Sequence, residues 1–388
     1  MKILKLRVSG LPRFKDVLEV DFWAQQRVEP KKSENLYCLF SNIYTNNAVS
    51  FVGINASGKT TNLKVISFVL NLLNNKSINS MDNNDILEGM EIDGSVEFDT
   101  YFHHGHQLYR LYTLIKKEID GKEGSEKYVI GKERIWSKDE KKIKTKKGLF
   151  EFENADLYME RDNDEAYLME DVSIMVAFHK KSESKIFMRD MSQWVNFNVL
   201  NIMGEFPKEL LAFLDPSIES IRFDIKKEKV AIALKFKGKK ELILDSPILL
   251  DHYLSSGTIK GMGIFMSAIF AFMEGGYLIV DELENHFNRE IMATLLRFFM
   301  DDKVNKRGAT LIFSTHYSEF LDEFERNDAI YITTNKGGIT AENLANILKR
   351  NDMKKSEAFQ SGHLMDTVPA YESYMDLKKA IMKQIKED

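Results

Sequence analysis

Hydrophobic and polar positions alternate at the start of the chain and then recur with a helical period. Residues 2–8 and 17–23 alternate as in the two strands of a hairpin, and residues 48–52 form a mostly apolar run typical of a strand. Apolar residues then return at helical spacing: Leu63, Ile66, Leu70 and Leu73. The pattern predicts a hairpin, a buried strand and an amphipathic helix over 61–73.

The middle of the chain changes its pattern twice. Alternating segments predict an antiparallel sheet: 94–102, 107–116 and 127–136. The spacing then becomes helical between residues 157 and 213, with apolar positions at Leu157, Met159 and Phe178 and within 194–203.

The last third alternates strands and helices. Strand patterns lie at 218–225, 230–236, 241–244, 277–280, 310–314 and 328–333. Helical patterns lie at 258–273, 288–300 and 316–325. This rhythm predicts an α/β fold with a mixed, mainly parallel sheet beside an antiparallel β-subdomain, and no heptad run is long enough for a coiled coil. We interpret residues 99–219 as an inserted β-hairpin and helical region between two halves of one domain, 1–98 and 220–388.

Composition favours a large core in a reducing compartment. Apolar residues make up 44% of the chain, and Cys38 is its single cysteine, so it cannot form an internal disulfide. No N-terminal segment has the layout of a signal peptide, and the longest apolar run, Met262–Met273, is too short to span a bilayer. We therefore expect a cytoplasmic protein without a membrane span.

The charge balance excludes a general polyanion binder. Lys plus Arg minus Asp plus Glu gives 54 − 59 = −5. One local basic segment stands out, with lysines at Lys138, Lys141, Lys142, Lys144, Lys146 and Lys147. A solvated loop is the favoured interpretation, and a contact with nucleic acid or an acidic partner is the alternative.

A phosphate-binding loop is the strongest chemical signal. Residues Gly53 to Thr60 have the spacing GxxxxGK[ST] between the strand at 48–52 and the helix at 61–73. Backbone N–H groups and the helix dipole would surround a triphosphate, Lys59 would meet the β and γ phosphates, and Thr60 would hold Mg²⁺. The predicted ATP-binding residues are Gly53, Asn55, Ala56, Ser57, Gly58, Lys59, Thr60 and Thr61.

Two later strands end in residues suited to hydrolysis. Asp281 and Glu282 follow the strand at 277–280, where Asp281 would reach Mg²⁺ and Glu282 would polarise the attacking water. The alternative is that Asp281 and Glu282 only begin a loop and cap the next helix. His316 follows the strand at 310–314 and is predicted to donate to the transferring phosphate, the alternative being a capping or surface histidine. For the three histidines His103, His104 and His106, a hairpin tip is the favoured interpretation and a zinc site the alternative.

The segment Leu254-Ser255-Ser256-Gly257-Thr258 resembles the signature of ABC-type ATPases. With the phosphate loop, the strand YLIVDELEN and the strand FSTH, in this order, the chain resembles the SMC, RecF and OLD branch of that superfamily. Within the branch it is most similar to compact ATPases of abortive-infection and phage-defence operons, such as AriA of PARIS and the RloA/AbiL type. Two tail segments, 354–359 and 366–372, add to this resemblance.

The resemblance implies a site shared between two copies. Ser255, Ser256 and Gly257 would meet the γ phosphate bound by the other copy of a head-to-tail homodimer or higher oligomer, and Asn285 and His286 would stand in the loop that crosses the interface. Ser256 replaces the usual glycine of the signature, and Thr258 its usual glutamine. No glutamine between Asn62 and Gln107 stands in the position of the family's coupling residue.

The leading hypothesis from these features is an ATP-hydrolysing sensor and scaffold in a defence system. The resemblance implies a separately encoded toxic effector, a TOPRIM-type nuclease, and a phage-derived trigger. The second hypothesis is a RecF/SMC-like ATPase of DNA repair that clamps DNA and contacts it through residues 138–147. A nucleotide-binding subunit of a transporter is the third, which the large central insertion disfavours.

Overall fold

The computed structural model describes most of the chain. The described residues are 1–28, 35–119, 126–162, 168–182, 184–192, 204–226, 229–285, 287–348, 354–361 and 371–386. The predicted helical stretch 194–203, His286 and most of the tail segment 366–372 lie outside them.

An antiparallel sheet of six strands covers one side of the molecule. Its strands, numbered in chain order, are β1 (Lys2–Ser9), β2 (Leu18–Asp21), β6 (Ser95–His104), β7 (Gln107–Ile119), β8 (Glu126–Asp139) and β9 (Asp156–Glu160), in the spatial order β2-β1-β6-β7-β8-β9. The predicted hairpin and the three alternating segments are thus confirmed as strands. The segments are joined to the first hairpin, because β6 pairs with β1 along its length.

The central sheet is mainly parallel, as predicted. It consists of β5 (Ala48–Val52), β10 (Met188–Asp190), β15 (Tyr277–Val280), β16 (Thr310–Thr315), β17 (Ile330–Asn335) and β18 (Ile339–Asn343), in the order β10-β15-β16-β5-β17-β18. Only the pair of β17 and β18 is antiparallel. Because the parallel strands run the same way, their carboxyl ends meet at one edge of the sheet.

Two small sheets and eight helices complete the described structure. The strands are β3 (Leu36–Phe40) and β4 (Ile43–Asn46) in one sheet, and β11 (Gly204–Glu205), β12 (Ile218–Lys226), β13 (Lys229–Phe236) and β14 (Leu242–Leu244) in the other. The helices are α1 (Lys59–Leu73), α2 (Met175–Ser182), α3 (Lys208–Leu214), α4 (Ser256–Glu274), α5 (Arg289–Met300), α6 (Leu344–Ile347), α7 (Lys355–Gln360) and α8 (Tyr371–Lys386). Short 3₁₀ helices include Pro247–His252 and Ser318–Glu323.

The central sheet separates two hydrophobic cores. Val49 and Phe51 of β5 pack with α1 and the antiparallel sheet, whereas Ala48 and Val52 pack with α4 and α5 on the other face. The strand therefore buries its side chains on both faces, which explains its mostly apolar sequence. Between the sheets, Phe68 of α1 stacks on Phe98 of β6 with ring centroids 5.3 Å apart.

Helix α4 carries the longest apolar run. By length and composition alone this helix could cross a membrane, but 61% of its apolar stretch is buried inside the protein. Ile264 and Ala268 lie in the core beside the central sheet. These contacts are those of a core helix, as expected from the sequence.

Two predicted helices are wrong in kind or extent. Leu157 and Met159 lie in strand β9, which pairs with the long strand β8 across a register shift. The open edge of β8 offers this segment backbone partners, and such tertiary pairing overrides a weak helical spacing. The helix predicted over 316–325 is a 3₁₀ helix, Ser318–Glu323. The proposed division of the chain at residues 98 and 219 stays a prediction, and both positions fall inside strands.

Candidate active site

The turn between β5 and α1 has a tight backbone that requires small residues. Ala56 and Gly58 have positive φ angles of 61° and 95°, a conformation that glycine adopts readily. Gly53 has no room for a side chain, because a Cβ there would lie 2.4 Å from the hydroxyls of Ser57 and Thr333. The loop is therefore wound against the start of α1, where backbone N–H groups and the helix dipole favour an anion.

A cavity of about 430 Å³ opens beside this loop, at the carboxyl ends of β5, β15 and β16. Its lining contains most of the predicted site: Asn55, Ala56, Ser57, Gly58, Lys59, Thr60, Thr61, Glu282 and His316. Two further predicted residues lie behind this lining, since Gly53 accepts a hydrogen bond from Lys59 and Asp281 accepts one from Thr60. The structure thus brings together residues from three separate parts of the sequence.

Lys59 is held inside the loop by carbonyl groups. Its ammonium donates to the carbonyl oxygens of Gly53 and Ile54, at 3.0 Å each, and lies 3.2 Å from Nδ1 of His316. Burial lowers the pKa of Lys59, and the carboxylates of Glu284, Asp281 and Glu282 act in the opposite direction. The ammonium of Lys59 is therefore held beside the phosphate loop, where it would contact a bound phosphate.

Thr60 and Asp281 form a pair of oxygen donors. The hydroxyl of Thr60 donates to Oδ2 of Asp281 over 2.7 Å, and the hydroxyl of Ser314 donates to Oδ1. Hydroxyl and carboxylate oxygens are the ligands that Mg²⁺ prefers, and Mg²⁺ usually takes its other ligands from water and substrate phosphate. The donor set therefore fits Mg²⁺ together with a bound triphosphate.

Glu282 has both an unusual backbone and a polarised side chain. Its φ angle is 46°, and its backbone N–H donates to the hydroxyl of Ser314 over 2.7 Å. Burial raises the pKa of the Glu282 carboxyl, but hydrogen bonds from His316 and Asn285 and the charge of Lys59 outweigh burial and lower the pKa overall. Glu282 is therefore an ionised acceptor at neutral pH, in a backbone conformation that the surrounding loop must enforce.

His316 connects Lys59 to Glu282. A protonated lysine can only donate, so Nδ1 of His316 accepts from Lys59 and the ring proton lies on Nε2. Nε2 in turn lies 3.3 Å from Oε1 of Glu282. The ring of His316 therefore has a partner on each side within the site.

The signature segment lies elsewhere. Ser255 is the N-cap of α4, and its hydroxyl accepts a hydrogen bond from the backbone N–H of Thr258 over 3.0 Å. Ser255 is exposed, and Ser256 and Gly257 are partly exposed in the first turn. None of the three is in the lining of the phosphate-loop cavity. A single chain therefore does not bring this segment to its own phosphate loop.

Sequence reasoning missed several residues of the cavity. Arg13 enters from the connection between β1 and β2, and Asn335 and Ile339 enter from the hairpin of β17 and β18. Asn335 donates to the carbonyl oxygen of Ala56 over 3.1 Å. None of these residues belongs to a recognisable motif. Because they lie far from the phosphate loop in the sequence, no local pattern links them to it.

Strand β10 also ends at the edge of the central sheet where the site residues lie. β10 runs parallel to β15 and ends at Asp190, which pairs with Ile279, so the chain leaves the sheet on the same edge as Asp281. Residues 188–192 lie well beyond the stretch from Asn62 to Gln107, and Gln193 follows them in the sequence, outside the described residues.

The other candidate clusters have structural partners. His103 lies in β6 and His106 in the hairpin turn between β6 and β7, and both contact the carboxylate of Glu140, at 2.6 and 2.8 Å. Across the described ranges, no group of three or more His, Cys, Asp or Glu residues is placed to hold a metal ion. In the basic segment, Lys138 and Lys146 donate to backbone carbonyls. The predicted hairpin tip is thus confirmed. Lys138 and Lys146, two of the six lysines, stabilise the fold through these hydrogen bonds.

The phosphate loop on a parallel sheet defines the class of protein, the P-loop nucleotide-binding proteins. The chain belongs to the family described as "AAA domain, putative AbiEii toxin, Type IV TA system", whose sequence model matches residues 49–322. The matched region contains the phosphate loop, the signature segment, the acidic pair and His316. The protein is therefore an ATPase, and ATPases of this kind use ATP with Mg²⁺.

Two further comparisons add little. A solved structure described as "Crystal structure of the SmcHead bound to the C-winged helix domain of ScpA" aligns with a TM-score of 0.49 and 12% identity, over 90% of this chain and 100% of that one. A similarity this distant decides nothing about function. No curated protein matches the chain.

Proposed function

We propose that this ATPase is the sensor and scaffold subunit of a bacterial abortive-infection system, acting in the cytoplasm and controlling a separately encoded toxic effector. The effector would be a TOPRIM-type nuclease, and the trigger a phage product. The family description supports a defence role, since it names a toxin–antitoxin system. The resemblance of the four ordered motifs to phage-defence ATPases supports the more specific assignment.

The proposed roles of the site residues follow from their contacts. Lys59 binds the β and γ phosphates of ATP, and Thr60 and Asp281 hold Mg²⁺, which when bound supplies positive charge to the phosphates. Glu282 orients the attacking water and accepts its proton, because it is ionised and lies at the cavity wall. His316 carries its proton on Nε2, next to Glu282, and would share it between Glu282 and an oxygen of the transferring group.

One observation carries the proposal of a shared site. The signature residues Ser255, Ser256 and Gly257 do not line the cavity formed by the other predicted residues. An exposed serine at the start of the 19-residue helix α4 offers a hydroxyl and the positive end of a helix dipole. In our proposal two copies meet head to tail, and each completes the site of the other across a bound ATP.

ATP would then control the effector through the arrangement of residues 99–219. Assembly of two copies around nucleotide fixes one arrangement of these regions, and hydrolysis releases it. The effector is held in one arrangement and freed in the other.

Co-purification with the product of the neighbouring gene tests this function. We expect that product to bind the chain, with an affinity that differs between ATP and ADP and is locked in the ATP form by Glu282→Gln. The matched control is Glu290→Gln, at an exposed position on α5. Equal binding with both nucleotides, or no binding, contradicts the proposal. Hydrolysis stimulated by duplex DNA with a steep dependence on salt would instead support the DNA-repair hypothesis.

A further inference from the structure

Glu284 is a buried carboxylate beside the active site that the roles above leave unused. Its exposed fraction is 9%. Oε1 accepts a hydrogen bond from the backbone N–H of His316 over 2.5 Å, while Oε2 has no hydrogen-bond partner within the described ranges. Burial of a carboxylate with an unpaired oxygen is unfavourable for folding. The position of Glu284 therefore needs a functional explanation.

The hydrogen bond of Glu284 fixes the backbone that carries the His316 ring. His316 directly follows β16, and Glu284 lies in the loop that follows β15. The contact therefore joins the two loops across the edge of the sheet. Because the ring of His316 contacts Lys59 on one side and Glu282 on the other, a rotation of its backbone would disturb both contacts together.

The charge of Glu284 has a second, smaller effect. Among the carboxylates that oppose the burial-induced fall in the pKa of Lys59, Glu284 acts most strongly. Asp281 and Glu282 act in the same direction. Removal of the charge of Glu284 alone would therefore leave two carboxylates that favour protonated Lys59, so we expect the hydrogen bond to matter more than the charge.

We propose that Glu284 is a positioning residue for ATP hydrolysis: it holds the backbone N–H of His316 and thereby keeps the His316 ring between Lys59 and Glu282. The inference rests on the proposed roles of Glu282 and His316. Glu284 itself acts through His316 and is not assigned a contact with nucleotide.

A comparison of Glu284→Ala with Glu284→Gln tests the proposal. The amide retains an acceptor for the His316 N–H, whereas alanine removes it. We expect Glu284→Ala to lower kcat by about 10- to 100-fold, the effect of one lost buried hydrogen bond on the barrier, with the Kd for ATP changed by less than about threefold. Glu284→Gln should recover most of kcat, and the control Glu290→Ala should match the parent. Parental kcat in the alanine variant, equal loss in both variants, or a loss confined to KM would overturn the proposal.

A double-mutant cycle separates this inference from the roles on which it rests. If Glu284 acts through His316, Glu284→Ala should cost nothing further in the His316→Ala background. Additive losses would overturn the inference and leave the role of His316 intact. If His316→Ala retained the parental kcat, both the proposed role of His316 and the inference about Glu284 would be wrong.

If Glu284→Ala does not fold, the variant Glu284→Asp tests the same proposal. Glu284→Asp lacks one methylene and cannot keep the 2.5 Å contact without a backbone shift, so the same loss of kcat is expected with the thermal unfolding midpoint measured alongside. Parental kcat in the folded aspartate variant would overturn the proposal.

Discussion

The two parts of the proposed ATP site differ in how far a single chain builds them. The phosphate loop, the acidic pair and His316 come from three regions of the sequence, yet they are joined by hydrogen bonds from Thr60 to Asp281 and from Lys59 to His316. The signature residues are equally recognisable in sequence. They lie at the exposed start of α4, outside the cavity.

This difference has a physical origin in the sheet. Parallel strands deliver their carboxyl ends to one edge, so the residues after β5, β15 and β16 must meet wherever the sheet forms. The signature segment starts a helix after the small sheet of β12, β13 and β14, and no strand pairing draws it toward that edge. The first group needs only folding to come together, whereas in our proposal the second needs another chain.

The largest effect is expected from Glu282→Gln, which breaks the chemistry of the first group. Loss of the general base should lower kcat by about 10²- to 10⁴-fold. The binding of ATP and Mg²⁺ should persist, because Lys59, Thr60 and Asp281 are unchanged. A nucleotide-locked oligomer should accumulate in size-exclusion chromatography. Hydrolysis near the parental rate would show that Glu282 is not the base.

Lys59→Ala should break binding within the same group. The loss of a charged donor to phosphate is expected to weaken ATP binding by about 100-fold or more, since such hydrogen bonds contribute about 1.5–3 kcal/mol each. Titration with a fluorescent ATP analogue measures the change, and Lys306→Ala, at an exposed position, is the control. Retained affinity would mean that the loop does not bind the triphosphate as proposed.

Ser255→Arg should leave binding intact and break only the second group. The bulky side chain at the start of α4 should block the meeting of two copies, so kcat falls by about tenfold or more while the Kd for ATP stays near the parental value. Ser255→Thr keeps the capping hydroxyl and should behave as the parent. Sedimentation in ATP follows the dimer. Full activity of the arginine variant as a monomer would contradict a shared site.

The smallest effect concerns pH. Hydrogen bonds from His316 and Asn285 lower the pKa of Glu282 below its ordinary value of 4.5. Their contribution to stability is therefore fully present above that value and is lost as the pH falls through the lower value of the folded protein. Asn285→Ala removes one donor, so the acid limb of the pH–kcat profile should move to higher pH. A limb that stays in place would show that Asn285 does not tune this carboxylate.

Sequence patterns predicted strands β5, β15, β16 and β17 of the central sheet and strands β6, β7 and β8 of the antiparallel sheet, but missed strands β9, β10 and β18. Strong local patterns predicted β5, α1, β15 and β16, because the apolar side chains of each element need burial in or against this sheet. Weaker signals failed, as at Leu157 and Met159, where the exposed side chain of Leu157 contributes little to burial and pairing with β8 decides the conformation.

The candidate site shows the same division. Motif spacing identified Lys59, Thr60, Asp281, Glu282 and His316, because phosphate and Mg²⁺ chemistry requires particular residue types at particular places after a strand. Arg13, Glu284 and Asn335 have no such spacing. Their roles depend on which loops the fold brings side by side, and only the structure shows that contact.

The amino-acid sequence by itself determined strands β5, β15 and β16, the phosphate loop and the acidic pair, because these follow from local periodicity and from the spacing that a triphosphate demands. Tertiary structure alone decided that β6 joins the first hairpin, that Glu284 holds His316, and that the start of α4 lies apart from the phosphate loop. Contacts of this kind link residues far apart in the chain, and no local pattern encodes which distant partner a backbone group or carboxylate will meet.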